Sequence, residues 1–147
     1  MSHSLTRIWI HSVWSTKNRF PYMKNATKQK IIQHLHQKLE ELDCGVRIIN
    51  GTENHLHGLF LLNQNKSIQE IIKNLKGETS HWINKNEFYK TKFAWQVGYG
   101  AFSVSESIVK DVNKYIKNQE KHHRKMSFQE ELDLLFKKHN IIVRGNH

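Results

Sequence analysis

The chain has 147 residues, with 23 Lys+Arg against 13 Asp+Glu, a formal net charge of +10, and 11 histidines. That length suits a single domain, residues 1–147, able to bury a core of its own. Seven Phe, four Tyr and four Trp are too many for a disordered tail. A single cysteine excludes a disulfide framework within the chain, and no CxxC pair is present for a zinc knuckle or redox site. The N-terminus, MSHSLTRIWIHSVW, lacks the uninterrupted apolar run of a secretory signal. The longest apolar stretch, Leu59 to Leu62, falls far short of the roughly 18 residues that span a bilayer. The expectation is a cytoplasmic protein whose basic, aromatic surface meets a polyanion and no membrane.

Residues 5–14, LTRIWIHSVW, are β-branched and aromatic and read as a strand. Ile8 and Ile10 fall on one face and Leu5, Trp9 and Val13 on the other, as in an interior strand covered on both sides. Thr16 to Asn25, polar and holding the only proline, Pro21, reads as a loop. The first helix then carries Ile31, Ile32, Leu35, Leu39 and Leu42, with Thr27 as its cap and Gly45 as its stop. Val46 to Asn50 and His55 to Leu62 read as strands joined by the short hairpin Gly51-Thr52-Glu53-Asn54.

Ser67 and Glu70 have capping-box spacing and open a second helix bearing Ile68, Ile71, Ile72, Leu75 and Trp82. A short strand is expected around Ala101 to Val104, then a helix from Ser105 to about His122. Ser127 and Glu130 form another capping-box pattern, opening a last helix over Phe128 to Lys138. No repeat or low-complexity tract interrupts the chain. The order β-α-β-β-α-β, with helices added at the C-terminus, is a ferredoxin-like (RRM-like) α+β fold on a four-stranded antiparallel sheet.

The third strand contains His55-Leu56-His57. Alternation puts both imidazoles on one face, roughly 7 Å apart at their Cα atoms, while Leu56, Phe60 and Leu62 point into the core. Such a pair can converge on a divalent ion, or can be two solvated histidines among 11. In the third helix, Tyr115 and Gln119 are four residues apart and share a stripe with Ile108 and Val112. If that helix packs over the histidine face, Gln119 can offer its amide oxygen and Tyr115 its hydroxyl. The spacing does not fix the docking.

Five segments occurring in order carry a family resemblance: HSVWSTKNR (11–19), NHLHGLF (54–60), NLKGETSHWI (74–83), WQVGYGAFSVSES (95–107) and YIKNQ (115–119). Over residues 5–125 the chain resembles the single-tyrosine HUH transposases of small insertion sequences that move as single-stranded DNA. This family includes the REP-associated tyrosine transposases of bacterial and archaeal cells. The resemblance implies His55, His57 and Gln119 as ligands of one Mg²⁺ or Mn²⁺ ion, and Tyr115 as nucleophile. It implies cleavage and rejoining of single-stranded DNA at hairpin-bearing ends through a 5′-phosphotyrosine. It also implies a homodimer in which the tyrosine helix can act in trans. Asn54 departs from the Asp common in the family before the first histidine.

The chemistry needs these residue types. A divalent ion relieves charge on the scissile phosphate, and tyrosine, with a free pKa of about 10, is a nucleophile its site must activate. One phosphodiester replaces another, so no nucleotide cofactor is required, and no P-loop or Gly-rich fingerprint is present. Lys17, Arg19, Lys73, Lys76, Lys121, Arg124 and Lys125 can contact phosphates or can be a solvated face. Trp95, Tyr99 and Phe102 can stack on unpaired bases or can belong to the core. Two alternatives stay open: a non-catalytic RRM-like binder of single-stranded nucleic acid, and a HUH nuclease domesticated for host repeats.

Overall fold

The computed structural model describes residues 4–139. Strands β1 (Trp9–Ser15), β2 (Val46–Gly51), β3 (His55–Leu61) and β4 (Gly100–Val104) form one sheet in the order β2-β3-β1-β4. Every neighbouring pair is antiparallel. Helix α1 (Asn25–Glu41) links β1 to β2, and α2 (Ile68–Lys85) follows β3. Beyond β4 come α3 (Val109–Lys117), α4 (Gln119–His122) and α5 (Phe128–Lys138). This is the expected ferredoxin-like arrangement with C-terminal helices added. Among the described residues no helix is long and apolar enough to cross a membrane.

Alternation along the two central strands sorts side chains into two layers. Ile10, Trp14, Leu56 and Phe60 join Ile31, Leu35, Leu39, Ile71, Ile72 and Leu75 in the main core. On the other face, Trp9 and Leu59 pack with Val104, Val109 and Ile116. Val13 and Phe102 pack there with Phe128 and Leu135 of α5. That second face also carries His11, His55 and His57, so covering it buries a polar cluster together with apolar groups.

Local chemistry moves several boundaries. Strand β1 starts at Trp9, leaving Leu5 and Ile8 exposed. The expected loop holds a 3-10 turn at Lys17–Arg19, and α1 starts at Asn25 with Lys24, which makes no side-chain cap, in front of it. Thr27 therefore lies inside the first turn and is not the cap. The helix stops before Gly45. Asp43 takes the left-handed conformation (φ 56°), and the Cys44 N–H returns to the Leu39 carbonyl at 3.0 Å.

The expected 105–122 helix is broken. After a 3-10 turn at Glu106–Ile108, α3 ends at Lys117 and a new turn starts at Gln119. Exposed Ile108 lies outside the buried stripe. The cause is tertiary: Asn50 Nδ2, from β2, donates to the carbonyls of Ile116 and Lys117, both at 3.1 Å, and so caps α3. Both capping boxes form as expected, Ser67 with Glu70 and Ser127 with Glu130.

Gly51 closes the β2–β3 hairpin. A Cβ there would stand 2.1 Å from the His55 carbonyl oxygen, which accepts the Thr52 N–H at 2.9 Å. The one cysteine, Cys44, is buried, and burial pushes its thiol pKa up.

Phe60 is fully buried in the main core. Phe60→Ala is expected to lower unfolding free energy by about 3–5 kcal/mol, read from urea transitions followed by circular dichroism.

Candidate active site

His55 opens β3, and His57 follows it on the same face, opposite Val13 of β1 and Asn50 of β2. Both imidazoles are completely buried. The Asn50 cap ends α3 where α4 must turn, and this brings Gln119 over the sheet: its Oε1 lies 3.2 Å from His55 Nε2. The Tyr115 ring centroid lies 5.8 Å from that of His57. The four residues expected at the site therefore meet, and they do so within one chain.

A fifth residue completes the cluster. Phe128, at the start of α5, stacks on the His55 ring at 4.2 Å and 21°. One turn on, Glu131 is fully buried. Its Oε1 is 3.0 Å from His57 Nε2, 3.2 Å from His55 Nε2 and 3.0 Å from His123 Nε2. Its Oε2 accepts from Gln119 Nε2 at 2.9 Å and from the Tyr115 hydroxyl. Sequence reasoning passed over Glu131, although a signal was there: it sits three residues after Phe128 and four before Leu135, a carboxylate on an otherwise apolar stripe. His11 was missed too, an imidazole between Trp9 and Val13 on the covered face of β1.

The far side of each imidazole is also engaged. His55 Nδ1 meets Asn54 Oδ1 at 2.8 Å and Thr52 Oγ1 at 2.9 Å, and the Thr52 hydroxyl itself donates to Asn54 Oδ1. Asn54 thus does at least one task a carboxylate would do, accepting the His55 Nδ1–H. His57 Nδ1 meets His11 Nε2 at 2.7 Å.

Burial lowers the pKa of His55 to about 4 and that of His11 to about 3, so both stay neutral at pH 7. Burial pushes the Glu131 carboxyl up, but hydrogen bonds led by that from His123 outweigh it and hold the group well below the carboxylate range. Burial, then the hydrogen bond to Glu131 and its charge, raise the Tyr115 phenol well above its ordinary value.

The donor set fits a divalent ion. One nitrogen each from His55 and His57 and a Glu131 oxygen lie within 4.8 Å of one another. Neighbouring donors are 3.0–3.2 Å apart, and ligands about 2.1 Å from an ion at right angles lie about 3.0 Å apart. Neutral His55 gives its Nδ1–H to Asn54 and Thr52, so its Nε2 lone pair faces two oxygens that also carry lone pairs. A cation satisfies all three. Two imidazoles and a carboxylate suit Mn²⁺, Fe²⁺ or Zn²⁺ as well as a harder ion.

The expected nucleic-acid contacts divide. Lys17, Lys73, Lys121, Arg124 and Lys125 are exposed. Arg19 is exposed but occupied, donating to Gln129 Oε1 at 2.8 Å and lying over the Phe128 ring. Lys76 donates to the carbonyls of Gln96 (2.7 Å) and Gly98 (2.8 Å), holding that loop. Trp95 and Phe102 are core residues, Trp95 against Trp14 and Phe93, Phe102 against His139. Neither is a free stacking platform. Tyr99 alone of the three keeps an exposed ring.

A ferredoxin-like sheet with an HUH pair, overlaid by Tyr115 of α3 and Gln119 of α4, defines the class. The chain belongs to the IS200-like transposase family, whose model, "Transposase IS200 like", matches residues 4–119. Glu131 lies beyond that stretch. Two solved structures share the fold. One is a candidate transposase from Deinococcus radiodurans R1, with TM-score 0.66 and 18% identity over 81% of this chain and 95% of the other. The second is a REP-associated tyrosine transposase bound to a REP hairpin, with TM-score 0.53 and 14% identity over 81% and 70%. No curated protein matches the sequence significantly.

The lowered histidine pKa values set a pH dependence. Unfolded chains take up protons on these imidazoles below their ordinary value of 6.5, whereas the folded ones resist until about 4 (His55) or 3 (His11). Stability is therefore expected to be full above pH 6.5 and to fall steadily between pH 6.5 and 4. Urea midpoints measured across that range check this.

Proposed function

We propose that the protein is a metal-dependent transposase that cuts and rejoins single-stranded DNA at hairpin-bearing ends through a 5′-phosphotyrosine link. The observation that carries the reading is the meeting of the Tyr115 hydroxyl and the Gln119 amide with the His55–His57 pair beneath one helical cover. Family membership supports DNA strand chemistry, and the REP hairpin on the similar structure supports a folded single strand as substrate.

His55, His57 and Gln119, with Glu131 beside them, would hold Mg²⁺ or Mn²⁺. When bound, such an ion polarises the scissile phosphate and takes up developing charge. Attack forms a bond from the Tyr115 oxygen to phosphorus and breaks the bond to the 3′ oxygen; the phenol gives up one proton, and the leaving 3′ oxygen takes one up to become a hydroxyl. The acceptor nearest the phenol proton is Glu131 Oε2. The same carboxylate disfavours a free phenolate, so it both receives the proton and restrains the nucleophile. Rejoining reverses these bonds at another 3′-hydroxyl, with no nucleotide cofactor.

His55, His57, Gln119 and Glu131 are all fully buried. A phosphodiester reaches them only when α5, whose Phe128 and Glu131 cover the pair, moves away from the sheet. Exposed Lys121, Arg124 and Lys125 flank the turn into α5 and would meet the strand's phosphates there. Two copies are expected to act together, bringing two DNA ends side by side. The tyrosine helix serves its own site in this arrangement and would serve the partner's if exchanged.

Tyr115→Phe is expected to abolish the covalent protein–DNA adduct on denaturing gels while leaving binding to a hairpin-bearing single strand intact. Adduct persisting in that variant refutes the reading. His57→Ala is expected to remove Mn²⁺-dependent cleavage. In hydrogen exchange, adding the same DNA is expected to speed exchange of the Phe128–Lys138 amides, since α5 must lift.

A further inference from the structure

The two imidazoles of the HUH pair are supported differently from behind. His55 Nδ1 meets Asn54 Oδ1 and Thr52 Oγ1, and the Thr52 hydrogen is already given to Asn54. Both oxygens can only accept from it, so His55 is locked with its hydrogen on Nδ1. His57 Nδ1 instead meets the Nε2 of another imidazole, His11, at 2.7 Å. His11 is opposite Leu59 in the ladder, and Val13 is opposite His57, so the two histidines are diagonal neighbours on the site face. His11 is buried, with the edges of Phe102 and Tyr115 as its other ring contacts. An imidazole at this place can either give or take a hydrogen bond.

His57 needs both. With no ion between them, a His57 Nε2 standing 3.0 Å from the Glu131 carboxylate must carry the hydrogen. In a neutral ring Nδ1 then accepts, and His11 Nε2 donates. When Nε2 binds a cation it must present its lone pair, so the hydrogen sits on Nδ1 and His11 Nε2 accepts. An oxygen that only accepts would serve the second state but oppose the first. An apolar side chain would serve neither.

We propose that His11 is a positioning residue that lets His57 exchange tautomers, donating to it while Glu131 is engaged and accepting from it when His57 holds an ion. In the exchange one hydrogen moves from Nε2 to Nδ1 in each ring. Neither ring changes charge, and no proton is gained or lost. The inference rests on the reading of His55 and His57 as ion ligands.

The test is ¹⁵N NMR of the full chain with labelled histidine, recorded without metal and after adding Zn²⁺, a diamagnetic probe. Wild type is expected to show His57 as the Nε2–H form without metal and as the Nδ1–H form with it, while His55 keeps its hydrogen on Nδ1 throughout. Partners behind a ligating histidine are typically worth 10–100-fold in metal affinity, so His11→Met, similar in bulk but without the polar partner, is expected to weaken Zn²⁺ binding about tenfold or more in calorimetry. His11→Gln, whose amide can turn either way, is expected to stay within about threefold of wild type.

A His57 tautomer that does not change on Zn²⁺ addition, although both ligand rings register the ion, overturns the proposal. So does wild-type affinity in His11→Met. The wild-type spectra decide the matter even if that variant does not fold. Zn²⁺ that leaves the His55 and His57 signals unmoved overturns the ligand reading itself, and this inference with it.

Discussion

One carboxylate ties the molecule's working parts together. Glu131 is buried on the inner face of α5, and its two oxygens face His55, His57 and His123 on one side and Gln119 and Tyr115 on the other. A charge this far from water is tolerable only when fully hydrogen-bonded, and removing one partner from such a buried arrangement typically costs about 3–5 kcal/mol. Helix α5 has modest apolar anchorage, chiefly Phe128 and Leu135. Its seat therefore depends on this polar contact and on Arg19 lying over Phe128. The groups that would do chemistry are the same ones that hold the cover in place.

This sets up a competition. Exposed Arg19 and half-buried Lys76 have the charge expected of phosphate contacts, yet each is engaged internally, Arg19 with α5 and Lys76 with the 96–98 loop. A strand that draws Arg19 to its phosphates removes one fastening of α5. On the proposed reading, attraction of the strand and uncovering of the site would be linked through one guanidinium, and the link would weaken as salt screens the phosphate.

The fold was legible where a rule acts locally. Alternation along β3 separated His55 and His57 from Leu56 and Phe60, and the two Ser–Glu capping boxes placed the starts of α2 and α5. The helix ends were less legible, since contacts from elsewhere set them: nothing within 105–122 announces that Asn50, far back on β2, will cap α3 after Lys117. Of the site, His55, His57, Tyr115 and Gln119 came from spacing joined to a family likeness. Glu131 and His11 did not, although each interrupts an apolar stripe. Alternation and helical periodicity show which face such a group lies on. They do not show which partner from another element awaits it, and that partner is what turns a misplaced polar residue into part of a site.

Cys44 carries a practical corollary. The sole thiol, in the connection from α1 to β2, is buried in the main core, and burial keeps it protonated, so sulfhydryl reagents find little to react with in the native fold. A cysteine introduced at exposed Leu134 on α5 would be the one readily labelled position. A single fluorophore there would follow the helix in real time, without first stripping the native sulfur from the chain.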